Sequence, residues 1–90
     1  MYIHLGNNVV ISSKSLIAIL NIEPPVAEDL QDIIYSVKSS QKAVNISDKG
    51  KEKALILTDD KAYFSPISST TLYKRGLNYF KEGLIIEKSK

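Results

Sequence analysis

Cysteine is absent from this chain of 90 residues, and histidine occurs once, at His4. Without thiols there is no disulfide framework, no Cys-ligated zinc and no thiol nucleophile. That absence fits a reducing cytoplasm, where the protein is expected to reside. A metal site or a catalytic triad needs several convergent groups, so His4, in the alternating stretch YIHL, reads as a polar-face residue. Ser12, Ser13, Ser39, Ser40, Ser65, Ser68 and Ser69 have no histidine close in sequence and no nucleophile elbow around them. The stretch GNN at 6–8 lacks the spacing and the Lys-Ser/Thr pair of a phosphate loop. An enzyme is therefore not expected, nor a cofactor, a metal or a small-molecule ligand. Long apolar runs are missing too: LIAILNI at 16–22 is far too short to span a bilayer, and MYIHLGNN lacks a basic region followed by an apolar run.

What the chain does contain is charge of both signs, unevenly placed. The net charge is +2. Between Lys38 and Lys53 lie five lysines (Lys38, Lys42, Lys49, Lys51, Lys53) against two acids, Asp48 and Glu52. Between Glu23 and Asp32 lie four acids (Glu23, Glu28, Asp29, Asp32) and no base. Patches of opposite sign on one small body suit a binding module whose copies pack together, although ordinary surface charge accounts for them as well. A chain this short buries only about 60% of the surface its unfolded form exposes. A closed homo-oligomer is therefore expected.

Turn chemistry divides the chain. YIHL and VVI flank GNN and predict a hairpin over 2–11. LIAIL, short and apolar, reads as a strand buried on both faces. Val26, Leu30, Ile33, Ile34 and Val37 make one apolar stripe, and the spacing predicts a helix over about 25–39 with Pro25 in its first turn. Glu28 and Asp29 lie near its positive end and Lys38 near its negative end. If Ile34 is fully buried, Ile34→Ala is expected to cost about 2–5 kcal/mol. KAVNIS and ALILT, separated by DKGKEK, read as a second hairpin. AYFSPI is a further strand that should end at Pro66 or lie at an edge. SSTTLYKRG reads as a short helix capped by Ser68 or Ser69 and stopped by Gly76. The fold class is α+β: a small, mostly antiparallel sheet, one long helix on a face, and a short C-terminal helix. Residues 1–76 form the expected domain, and 77–90 a tail that is helical or partly disordered.

The lysines are the candidate site. Lys49, Lys51 and Lys53 ring the DKGKEK turn, and Lys14 follows the strand VVIS. Residues two apart on an extended segment point to one side, so Lys51 and Lys53 project together with Glu52 opposed. Lysines in that setting neutralise phosphates without reading bases. About three such contacts bind weakly in one copy and add up in an oligomer. A solubilising turn explains the same residues without any ligand.

MYIHLGNNVVISSKSLIAIL at the start and YFSPISSTTLYKR near the end resemble the Rem-type extracellular-matrix regulators of Gram-positive bacteria, in particular the RemB-like branch related to RemA. The helix, the basic turn and the ALIL strand follow in that family's order, so the resemblance covers residues 1 to about 75. It implies a small, ring-like homo-oligomer that binds double-stranded DNA and regulates biofilm-matrix genes. It also implies phosphate contacts in two places. One follows the NVVIS strand and is matched by Lys14. The other is an arginine-rich hairpin tip, matched by KGKEK with Lys51 and Lys53 at basic positions. Gly50 stands where the RemA pattern has another arginine, Glu52 adds a negative charge, and lysine lacks arginine's bidentate fork. Two functions lead: an oligomeric regulator contacting DNA phosphates through Lys14, Lys49, Lys51 and Lys53, and an oligomeric scaffold or anti-repressor that holds another protein and touches no DNA; a small-molecule sensor is a distant third, since nothing in the sequence marks a pocket.

Overall fold

The computed structural model describes residues 2–83, with side chains described as far as Gly76. The first hairpin is present as β1 (Tyr2–Gly6) and β2 (Val9–Ser12), antiparallel. Asn7 and Asn8 carry positive φ of 46° and 66°, the pair of left-handed residues that a two-residue turn matched to strand twist requires. Ile3, Leu5 and Ile11 point inward, while Tyr2, His4 and Val10 face outward, as the alternation of YIHL implies.

After a short 3-10 turn at Ser13–Ser15 come β3 (Leu16–Asn21), α1 (Glu28–Lys38), β4 (Ala43–Asn45), β5 (Ala54–Thr58), β6 (Ala62–Ser65) and α2 (Ser69–Gly83). Four of these strands form a mixed sheet in the order β3-β5-β6-β4, with β4 and β6 parallel and the other pairs antiparallel. Alternate residues of the central strands feed two cores. Ala54 and Ile56 of β5 face the β1–β2 hairpin and Leu72 of α2. Leu55 of β5 with Ala62 and Phe64 of β6 face Leu30, Ile34 and Val37 of α1. The protein is thus α+β: a sheet with one helix on one face, and a hairpin and a second helix on the other.

Four expectations are corrected. LIAIL forms β3, an edge strand with Ile17 67% exposed; ALIL, on β5, is the run buried on both faces. KAVNIS and ALILT are not a hairpin, because β6 lies between β4 and β5. The two-residue Asp59-Asp60 turn joins β5 to β6 instead, with the Thr58 N–H donating to the Lys61 carbonyl at 2.9 Å. The first helix starts at Glu28, three residues after Pro25, and Ile33 of its stripe is 44% exposed. The C-terminal helix is the longer of the two, 15 residues against 11. Gly76 does not stop it. A side chain there would meet the Ile3 Cδ1 atom at 3.7 Å, and the backbone is not left-handed, so the residue sits in the helix close over β1. Ser68 caps that helix as expected, its Oγ accepting from the Thr71 N–H at 3.2 Å. β6 ends directly before Pro66, again as expected. The expected tail lies outside the described residues from 84 onward.

Ser65 ties the two sheets together. It is fully buried, its hydroxyl donates to the Leu5 carbonyl at 2.6 Å, and it accepts from the Ile67 N–H at 3.0 Å. Ser65→Ala leaves both groups without a partner and is expected to cost about 1–3 kcal/mol, read as a lowered urea midpoint at unchanged slope. Among the described residues no helix is long and apolar enough to cross a membrane.

Candidate functional site

The segment 46–53, which carries Lys49, Lys51 and Lys53, leaves the edge strand β4 and enters the central strand β5. It therefore passes over the end of β6. Its two limbs are pinned to consecutive carbonyls of that strand: Ile46 N–H donates to Phe64 at 2.9 Å, and Lys53 N–H to Ser65 at 2.8 Å. One limb lies on each side of β6, so the ends of the arch are about 10 Å apart, two strand spacings. The side-chain amide of Asn7, in the first turn, bonds the Ile46 carbonyl and braces the arch from the neighbouring hairpin.

Within the arch the chain reverses at Asp48–Lys51, where the Lys51 N–H donates to the Asp48 carbonyl at 3.0 Å. Gly50 has φ +82° there, a conformation that favours glycine over any residue with a Cβ. A charged side chain at this position would carry backbone strain. Beyond the turn, Lys51 and Lys53 are exposed and Glu52 between them is half-buried, as expected for an extended limb. Lys49 is exposed at the turn itself.

Glu52 is held inward. Its carboxylate accepts from the Asn45 side-chain amide at 3.1 Å. Its own backbone N–H, above all, keeps the carboxyl below the usual carboxylate range; the Asn45 amide and the Lys38 charge add to this, against partial burial. Lys38 also lies 5.5 Å over the Phe64 ring. A depressed pKa in the folded state gives stability that is present above the unfolded-state pKa and lost as pH falls through the folded value. Acid unfolding of Glu52→Gln is therefore expected to be less steep in that window than that of the native chain, followed by circular dichroism across a pH series.

Asn45 bonds residues on both limbs of the arch. Its Oδ1 accepts from the Ser47 N–H at 3.0 Å and the Ser47 hydroxyl at 3.2 Å, while its Nδ2 donates to Glu52. The available signal was Asn-x-Ser at the end of a strand, a pattern that favours local side-chain turns.

Lys14 lies elsewhere. It is exposed in the 3-10 turn after β2, next to Ser15, whose carbonyl accepts from Asp59 N–H at 3.0 Å. Asp59 follows β5, and Lys53 precedes it. Six residues of extended chain separate these points by about 20 Å. The fold thus brings Lys49, Lys51 and Lys53 together on the arch and puts Lys14 at the opposite end of the sheet. Of the other basic residues, Arg75 donates to the His4 carbonyl at 2.6 Å, and Lys74 is exposed on α2. The acidic start of α1 is exposed, and the segment that leads to it leaves β3 at the arch end, where Ile22 N–H bonds the Lys53 carbonyl at 3.1 Å. His4 is exposed on the outer strand face. Among the described residues there is no group of three or more His, Cys, Asp or Glu that could hold a metal ion.

Residues 2–75 match the RemA-like family, described as extracellular matrix regulatory protein A-like. Extracellular matrix regulatory protein B of Bacillus subtilis (strain 168) is 31% identical to the chain over 81 residues, covering 90% of this chain and 96% of that protein.

Proposed function

The chain belongs to the RemA-like family of extracellular matrix regulatory proteins, and from that premise we propose that it is a cytoplasmic, non-enzymatic regulator of matrix gene expression that contacts DNA phosphates through its basic arch. Residues 1–76 act as the regulatory unit. The observation that carries this reading is the arch itself: three exposed lysines on a segment pinned at both ends, with the one acid between Lys51 and Lys53 turned inward onto Asn45. A pinned segment presents its ammonium groups without first having to be ordered, which lowers the entropy cost of each contact. Lysines neutralise phosphates without reading bases, so the retention is independent of base sequence.

One copy with three phosphate contacts binds weakly. A homo-oligomer repeats the arch and raises the local concentration of contacts. Because Lys14 and the arch are about 20 Å apart along β5, a duplex that meets both within one copy runs along the sheet. The test is retention of duplex DNA by the native chain over a salt series, with solution mass by light scattering. The expected results are a mass above that of the monomer at tens of micromolar protein and a log–log salt slope of about −3 for each engaged arch. A monomeric mass with no retention at low salt removes this reading.

The second reading is a scaffold or anti-repressor that holds another protein. It is favoured by an open apolar groove of about 570 Å³ beside α1, lined by Pro24, Pro25, Val26, Ile34 and Tyr35 with Lys38 at its edge. Tyr35 is 77% exposed there.

A further inference from the structure

Glu52 looks out of place among lysines that meet phosphates. Its charge opposes the duplex, yet its carboxylate is bonded within the arch. Its side-chain partner is Asn45, beside the backbone N–H groups of Glu52 and Gly50, and Asn45 also holds Ser47. Ser47 belongs to the limb that leaves β4, and Glu52 to the limb that enters β5. The two limbs are separated by the Asp48–Lys51 turn, and Asn45 bonds both.

We infer that Asn45 is the positioning residue of the basic arch, its amide joining the Ser47 limb to the Glu52 limb so that Lys49, Lys51 and Lys53 are presented in one orientation. The inference deepens the phosphate-binding reading and rests on it for its consequence in DNA retention. The two functional groups of the amide are used in opposite senses. Oδ1 accepts, and Nδ2 donates to a carboxylate, a charge-assisted bond stronger than a neutral one. An aspartate here would keep the acceptor but face Glu52 as a like charge. An alanine would lose all three bonds, two from Ser47 and one to Glu52, without changing any charge. Main-chain pinning at Ile46 and Lys53 does not depend on Asn45, so its removal frees the middle of the arch and leaves its ends attached. Asn45 is exposed at the end of an edge strand, so the fold survives the change.

The experiment compares four full-length proteins: native, Asn45→Ala, Asn45→Asp, and the double variant Asn45→Asp with Glu52→Gln. The double variant reverses donor and acceptor: the glutamine amide donates to the aspartate, which still accepts from Ser47. Its net charge equals that of the native protein and of Asn45→Ala. Two quantities are read: amide hydrogen exchange at Lys51, whose N–H bonds Asp48 inside the arch, and duplex DNA retention at fixed low salt. In Asn45→Ala, Lys51 exchange is expected to rise about tenfold. Exchange at Lys53, bonded to Ser65 in the sheet, stays unchanged, and retention drops several-fold. The double variant is expected to restore both. Unchanged Lys51 exchange in Asn45→Ala, or a double variant no better than Asn45→Ala, overturns the inference. If the native chain retains no DNA while Lys51 exchange responds as expected, the phosphate reading fails and the positioning role stands.

Discussion

Charge reversal of Lys51 and Lys53 to Glu is expected to abolish duplex retention at physiological salt. Each phosphate contact releases condensed counterions and contributes about 0.9 to the log–log salt slope. Two lost contacts shrink that slope by roughly two units per engaged arch. At about 0.15 M salt the same two contacts account for roughly a 30-fold difference in affinity, before any repulsion from the introduced carboxylates. The loss applies to all base sequences alike. Fold and solution mass survive, because both side chains are exposed and Lys53 keeps its backbone bonds to Ser65 and Ile22. Lys14→Glu, at the other end of the sheet, serves as a separate probe: a loss of about one unit of slope shows that the duplex reaches that end. Equal retention by native and double variant moves the basic face to Lys14 and Lys74.

Phe64→Ala is expected to cost about 3–5 kcal/mol, the larger part of the stability of a marginal domain. Phe64 is 2% exposed on β6, packed with Leu55, Ala62 and the inner side of α1, and Lys38 lies over its ring. The chain around it is pinned on both sides, so the space left behind does not collapse. Its carbonyl also anchors Ile46, and loss of the ring loosens that end of the arch. Ile34, which packs against the same cluster from α1, is only half-buried, and Ile34→Ala is expected to cost about 1–2 kcal/mol, less than a fully buried site would. Urea midpoints of the two variants measured together test the order; an Ile34→Ala effect as large as that of Phe64→Ala contradicts the packing described here.

Local chemistry was legible in the sequence. The GNN turn, the amphipathic first helix, the Ser68 cap and the Gly50 reversal each depend on residues within a few positions of one another, and all are present. Sheet order was not legible. LIAIL and ALIL are apolar runs of similar length, and nothing local says which one is flanked by strands on both sides. Placing β6 between β4 and β5 depends on pairing residues 43–45 with 62–64, beyond the reach of any turn signal. The same limit applies to the site. Lys51 and Lys53 are both exposed with Glu52 half-buried between them, the alternation that an extended limb implies, so their grouping could be read. The separation of Lys14 depends on the direction in which β3 runs beside β5, which only the assembled sheet reveals.

The parallel pairing of β4 with β6 also sets an order of events during synthesis. β3 and β5 can pair as soon as both have been made, and β6 adds to β5 as an ordinary hairpin. β4, although made before either, has no hydrogen-bonding neighbour until residues 62–64 emerge from the ribosome. The arch closes only at that moment, because its two ends are fixed to Phe64 and Ser65. A nascent chain ending before β6 therefore carries the lysines but not their arrangement, and such non-local closure belongs to the slow part of folding. The lysine-bearing arch is completed only once the whole sheet has been made.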